Sequence, residues 1–254
     1  MLDLLRLRKR HGSQAIPDVR NAELMETHRG FPVIDESKYT DDWQKVMDIC
    51  PTGAIAKNPL SIDLGKCIFC GECERVSAGA IKFTNKHKTG SSDRSRLIVS
   101  AGTGYDRYVE EAIESRKEIH RLFGRSLKLR QVSAGGCNGC EMELSACSNV
   151  NFDMGRFGID FVASPRHADG IVITGPITKN MSPALRDAYK SIAEPKIVIA
   201  VGACAISGGV FAGSDQLKRE VLDEFKIDLY VPGCPPHPLT FINAVLDFIG
   251  RKKG

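Results

Sequence analysis

Nine cysteines stand in this chain, and eight of them fall into two groups whose spacing suits metal ligation better than disulfide pairing. The first group is "CIFCGEC", which sets Cys67, Cys70 and Cys73 at two-residue gaps. An iron–sulfur run of the bacterial kind reads C-x2-C-x2-C-x3-C-P. Here Ser77 occupies the fourth position and no proline follows it. A fourth thiolate is available upstream at Cys50, in "DICPTGAI", where the Cys-Pro pair is kept. The second group is Cys137 and Cys140 in "SAGGCNGCE", Cys204 in "GACA" and Cys234 in "PGCPP". Thiolates are soft ligands, so each set of four suits an iron–sulfur cluster, with an all-cysteine zinc site as the alternative. A thioredoxin-like redox pair at Cys137 and Cys140 would leave Cys204 and Cys234 unexplained. Cys147, the ninth, lies on an apparent helix in "ELSACSN" and reads as core packing.

The serine at position 77 is informative. In two-cluster ferredoxins the last cysteine of each run ligates the other cluster. Counting back from Cys50 by the motif's gaps gives Val46, Trp43 and Thr40, so the three upstream ligands of a second cluster are missing, and its fourth would have been Ser77. One cluster has lost all four ligands while the other keeps Cys50, Cys67, Cys70 and Cys73. The segment thus looks like a two-cluster ferredoxin domain reduced to one [4Fe–4S] cluster, with Val46 and Trp43 expected to fill the vacated volume. The "GAI" turn-and-strand after both Cys50 and Ser77 supports that reading over a zinc ribbon.

These groups need elements to position them. In the second half, apolar runs at "SLKLRQV", "FGIDFVAS", "ADGIVITGPIT", "KIVIAVGACA" and "DLYVPGCPP" alternate with helical patterns over 141–148, 183–193 and 238–249. That alternation predicts a parallel sheet covered on both faces, an α/β doubly wound domain from about Ser126 onward. All three cysteine-bearing loops of the second group then leave the carboxyl ends of strands, the edge at which open α/β sheets bind ligands. Gly135, Gly136, Gly139, Gly202 and Gly233 would let backbone approach the cluster, and Pro232, Pro235 and Pro236 would stiffen the last loop.

The expected organisation is an N-terminal docking segment (1–30), a small α+β ferredoxin-like domain (31–84), a linker and helix (85–125) and the α/β domain (126–254). The polar stretch "NKHKTGSSDRSR", Asn85 to Arg96, marks the linker, and "YDRYVEEAIESRKEIHRLFG" reads as one helix. In "MLDLLRLRKRHG", a helix would put Leu2, Leu5 and Leu4 on one face and leave Arg6, Arg8, Lys9 and Arg10 to dominate the rest, which suits a frayed start or a helix docking on a partner or anionic lipid. No run approaches the roughly 20 apolar residues of a membrane span. Lys+Arg 35 against Asp+Glu 31 is too even a balance to argue for nucleic acid.

Taken together, "GGCNGCE", "FGIDFVASPRHADGIVITGPIT", "SPALRDAY", "PKIVIAVGACAISGG" and "DLYVPGCPP" resemble the small subunit of membrane-bound, energy-converting [NiFe] hydrogenases of the formate hydrogenlyase type. They also resemble the homologous proximal-cluster subunit of respiratory complex I. The likeness runs from about Arg125 to Phe248. The CxxC spacing of Cys137 and Cys140, and His167 in "SPRHAD", favour the hydrogenase branch. The first ~85 residues, including "HRGFP", resemble the ferredoxin-type subunit of the same complexes, here fused and with one cluster missing.

The resemblance implies a flavodoxin-like fold for the second half and two [4Fe–4S] clusters, held by Cys50, Cys67, Cys70 and Cys73 and by Cys137, Cys140, Cys204 and Cys234. It implies an oxidoreductase subunit that relays electrons from a ferredoxin or other donor to a nickel–iron site in a hydrogenase-type large subunit. Membrane subunits would hold the complex on the cytoplasmic side of the cell membrane. The alternatives are the same relay in a complex I-like oxidoreductase without nickel, and a zinc-stabilised adaptor. Glu141 is then a candidate proton relay facing the large subunit, against the simpler role of a carboxylate at a helix N-terminus. Arg166 and His167 would bond around the cluster or pair with Asp169 or Asp160. His237 is expected to start a helix, and Thr178, Lys179 and Ser182 to form a loop and cap.

Overall fold

The computed structural model describes residues 2–12, 14–38, 43–115 and 117–251. Its N-terminal half is made of short pieces. Helix α1 (Leu2–His11) is followed by β1 (Pro32–Ile34), α2 (Trp43–Asp48), β2 (Ile55–Lys57), β3 (Leu60–Asp63), α3 (Glu72–Val76), β4 (Ile81–Phe83) and β5 (Ile98–Ser100). β1 pairs antiparallel with β4, and β2, β3 and β5 form a second antiparallel sheet. The two "GAI" strands, β2 and β4, therefore serve different sheets. Val46 is fully buried in this half's core and Trp43 packs against it. Thr40 lies outside the described residues.

Two helices, α4 (Tyr105–Ala112) and α5 (Lys117–Phe123), stand where one continuous helix was expected. The carbonyl of Ala112 is taken by Ser91 Oγ (2.7 Å) and the Ser92 N–H (3.0 Å), and Ile113 turns into extended backbone. Capture of that carbonyl ends α4 in place of a continuing helical bond.

The second half carries the expected alternation. β6 (Leu127–Ser133), α6 (Gly139–Ala146), β7 (Ile159–Phe161), β8 (Gly170–Thr174), α7 (Ser182–Ser191), β9 (Ile197–Val201), α8 (Gly202–Ser207), β10 (Leu229–Val231) and α9 (Pro238–Phe248) follow in turn. The five strands are parallel in the order β10-β9-β8-β6-β7. Numbered within the half and read from β7, this is 2-1-3-4-5, the flavodoxin-like order, with its switch point between β6 and β8. β8 and β9 are buried on both faces, as a covered parallel sheet requires. Val172, Ile197, Ile199 and Val201 face a core shared with α6 and α9. Ile171, Ile173, Val198 and Ala200 face the other side, where their core is continuous with that of the N-terminal half.

The stretch Asn85–Arg96 differs from the solvent-exposed tether its composition suggests. His87, Thr89 and Ser91 are buried, and Gly90 passes so close to α9 that an added Cβ would meet Ala244 Cβ at 2.7 Å. Ser91 exchanges two backbone hydrogen bonds with Tyr230, closing the open edge of the sheet at β10. Downstream of it, β5 belongs to the sheet of β2 and β3, so the small half reaches well past residue 84. Upstream, residues 14–24 cover α9. Val19 is fully buried, its carbonyl accepts from Asn243 Nδ2 (2.8 Å), and Arg20 pairs with Asp247. That cover explains why every residue of α9 except Asp247 is buried. By contrast Leu4, Leu5 and Leu7 of α1 stand in solvent.

Candidate metal centres

The first cysteine group surrounds a hollow. Cys50, Cys67, Cys70 and Cys73 line it together with Ile55, Ile62 and Phe83. Cys50 follows α2, Cys67 and Cys70 come from the loop that enters α3, and Cys73 lies in the first turn of α3. That loop reverses sharply: Phe69 and Gly71 both take positive φ, 53° and 82°, which swings successive cysteines toward one side. Two backbone amides point at cysteine sulfurs of this group, Ala54 N–H to Cys50 Sγ (3.2 Å) and Phe69 N–H to Cys67 Sγ (3.3 Å). Bonds of this kind are what sulfurs of an iron–sulfur site receive from the protein. Ser77, where the motif would place a cysteine, is buried. Its hydroxyl accepts from Ile81 N–H (3.0 Å), so it has become part of the turn after α3.

The second group sits at the carboxyl edge of the parallel sheet. Cys137 and Cys140 follow β6, Cys204 lies on α8 after β9, and Cys234 follows β10. The loops are tied to each other: Ala203 N–H donates to Gly233 O (2.9 Å), and Ile177 N–H to Ala134 O (3.0 Å) across the switch point. Glycine is required here by close approach. A Cβ on Gly202 (φ +87°) would stand 2.6 Å from Cys140 Sγ, and one on Gly209 3.0 Å from Cys204 Sγ.

The thiols of both groups feel one another. Burial pushes Cys67 and Cys73 up to about 12, and the charges of their companion cysteines add to it. Burial likewise raises Cys140 to about 12 and Cys204 to about 11, with contributions from Glu141, Cys137 and Cys234. Four such thiolates can share a site only beside compensating positive charge, which metal centres supply, deprotonating their thiol ligands outright. The donor chemistry, the amide-to-sulfur bonds and the glycine cradle at Cys140 all fit such a group. Among the described residues no three His, Cys, Asp or Glu side chains are gathered as a set for one metal ion. Cys147 stands apart from both groups: it is fully buried, and its thiol donates to Glu143 O (3.3 Å) as a core residue.

Glu141, immediately after Cys140, is half-buried. Its Oε1 accepts from Thr174 Oγ1 (2.6 Å). Burial acts to raise its pKa, but hydrogen bonds from Ser133 and Thr174 outweigh that and hold the carboxyl below its ordinary range. Asp160 pairs with Lys128 Nζ (2.5 Å), and Asp169 accepts from Lys128 N–H (2.7 Å); these are the partners the carboxylates take in place of Arg166 and His167. His237 is the N-cap of α9, its Nδ1 accepting from Leu239 N–H (3.1 Å). Thr178 accepts at its carbonyl from Met181 and Ser182 N–H at the start of α7.

The two sites adjoin. Cys70 of the first and Cys234 of the second line one cleft of about 280 Å³, together with His28, Arg29, Thr89 and His237. The His28 and His237 rings meet edge-on across it, 5.7 Å between centroids. Arg29 Nε donates to Phe69 O (2.6 Å), bracing the first cysteine loop from the cleft side. Two residues that spacing alone did not single out also matter at the second site. Arg219 donates to the carbonyl of Cys204, and Thr174 holds Glu141. Arg219 lies in no motif, and Thr174 lies in "ADGIVITGPIT", which reads as a strand and not as part of a site.

Residues 137–248 match the family described as NADH ubiquinone oxidoreductase, 20 Kd subunit. The probable membrane-bound hydrogenase subunit mbhJ of Pyrococcus furiosus is 38% identical over 129 residues, 51% of this chain and 77% of that one. Formate hydrogenlyase subunit 7 of Escherichia coli is 45% identical over 139 residues, 51% of each chain. An NADH-quinone oxidoreductase subunit of Geotalea daltonii is 43% identical over 117 residues, 45% of this chain and 68% of that one. This chain belongs to that 20 Kd subunit family. Its relatives are subunits of oxidoreductases, membrane-bound hydrogenase among them, and no helix among the described residues is long and apolar enough to cross a membrane.

Proposed function

We propose that this chain relays electrons between two [4Fe–4S] clusters as the small subunit of a membrane-associated hydrogenase of the [NiFe] type. Cys50, Cys67, Cys70 and Cys73 hold one cluster, and Cys137, Cys140, Cys204 and Cys234 hold the other. The observation that carries this reading is the shared cleft, which brings a ligand of each set, Cys70 and Cys234, to one opening. Each cluster supplies one-electron transfer when bound. The residues of this chain fix the clusters side by side: Ser91–Tyr230 pairing and the Arg20–Asp247 contact lock the two halves against relative movement. The small half takes electrons from a ferredoxin or similar donor. A large subunit covers the carboxyl edge of the sheet and carries nickel, membrane subunits anchor the assembly, and the complex faces the cytoplasm.

A second reading rests on the similarity to the NADH-quinone oxidoreductase subunit of Geotalea daltonii: the same relay, in a complex whose large subunit has no nickel. Metal analysis of the complex purified from membranes without oxygen decides. About eight iron atoms per copy of this chain, beyond what partners add, with stoichiometric nickel is the expected result. Iron without nickel selects the second reading, and zinc in place of iron refutes both. The relay role of Glu141 has its own test. Glu141→Gln is expected to slow proton reduction while leaving the iron content unchanged, and intact proton reduction removes the role.

A further inference from the structure

Arg219 opens a short 3-10 turn, Arg219–Glu224, ahead of β10. Its side chain is half-buried and reaches back beneath the second cysteine group. Nη1 donates to Pro176 O (3.2 Å), in the loop after β8, and to Cys204 O (2.9 Å). Nη2 donates to Ala205 O (2.9 Å). One planar guanidinium thus ties the loops of two neighbouring strands, a task for which its fork of donors is suited and an ammonium is not. All three acceptors are neutral carbonyls. Among the described residues no carboxylate pairs with Arg219, so its charge is left uncancelled next to a cysteine ligand.

We infer that Arg219 sets the reduction potential of the C-terminal centre, its fixed positive charge favouring the reduced state. This rests on the reading of Cys137, Cys140, Cys204 and Cys234 as cluster ligands. The electron that reduction delivers adds one negative charge to the site. A guanidinium remains protonated throughout, and at a partly buried position its field is weakly screened.

The test is an EPR-monitored redox titration of the full chain in the complex it purifies with, using dithionite as one-electron reductant and the N-terminal centre as internal reference. Arg219→Gln keeps an amide that can bond the carbonyls and removes the charge. It is expected to move the C-terminal midpoint to more negative potential and leave the N-terminal one in place. Arg219→Lys keeps the charge and is expected to stay near the wild type. Lys190→Gln, on the exposed side of α7, removes equal charge and is expected to move neither. An unshifted midpoint in Arg219→Gln overturns the inference, as does an equal shift in Arg219→Lys, which would assign the effect to hydrogen bonding. Loss of the centre in both Arg219→Gln and Arg219→Met would show that Arg219 holds the site together, and would also overturn it. Failure of the underlying reading looks different: the wild-type chain itself would show no C-terminal iron–sulfur signal.

Discussion

Gly202→Ala probes the second site at the point of closest approach. Gly202 sits at φ +87°, and a Cβ there would stand 2.6 Å from Cys140 Sγ. Two penalties follow and can be separated. Placing alanine in left-handed backbone costs roughly 1–2 kcal/mol. The overlap is the larger effect, because ordinary contact begins at 3.4 Å. Sγ would have to retreat by about 0.8 Å, while a metal ligand tolerates only about 0.2 Å from its proper distance. A free thiol can make that retreat by turning about χ1; a thiolate tied to iron cannot. Gly202→Ala is therefore expected to fold and to lose the C-terminal centre, dropping from about eight to about four iron atoms per chain. Gly102→Ala isolates the backbone cost, since Gly102 has φ +77° and nothing within 4 Å of an added Cβ. It should lose roughly 1–2 kcal/mol in urea unfolding and keep all its iron. A Gly202→Ala chain with the full iron complement would refute the assignment of Cys140 as a ligand in this position.

Two further outcomes follow from buried groups outside the cysteine sets. Cys147→Ala should leave iron content and EPR signals unchanged and lower stability by roughly 1 kcal/mol, since it empties a small part of the core between α6 and α9; loss of iron would make Cys147 a ligand. Burial pushes His87 down to about 4 from its ordinary 6.5, and its Nε2 lies 3.3 Å from Asn243 Nδ2, whose hydrogens go to Val19 O and Leu239 O. Below pH 6.5 the unfolded chain protonates a His87 that the folded chain keeps neutral, so His87 should lower stability as pH drops from 6.5 toward 4 by up to about 1.4 kcal/mol per pH unit, beside a like share from His237, which burial also pushes down to about 4. His87→Asn should make that slope shallower in urea midpoints measured between about pH 7.5 and 5, and an unchanged slope would clear His87 of the effect.

The parallel sheet was legible because its cause is local and repeated. A strand covered on both faces must be apolar at every position, and "GIVIT" and "IVIAV" are close to that limit. The turns that carry the cysteines were legible for a related reason. Two-residue gaps, flanking glycines and prolines shape the turn itself, so the loop geometry is written within a few residues. The three-residue strands β1, β2 and β4 carry too little pattern for a period to show, and the small half could be read only through its cysteines. The expected single helix from Tyr105 gave way because Ser91 and Ser92, about twenty residues upstream, capture a carbonyl at its middle.

Asn85–Arg96 shows the same limit in its strongest form. Composition reports how polar a stretch is and says nothing about where its polar groups find partners. In a tether those partners are water. Here Ser91 Oγ donates to Ala112 O, the Ser91 backbone pairs with Tyr230, and Tyr108 Oη donates to Thr89 O (2.8 Å), so serines and threonines lie buried with their hydrogen bonds made. Arg219 misleads in the same way: a basic residue in "QLKREVLDEF" looks like one more solvated charge, and only the fold turns it under Cys204. Both cases place polar residues where the halves and the ligand loops meet. Long-range contacts there decide how one cysteine set sits against the other.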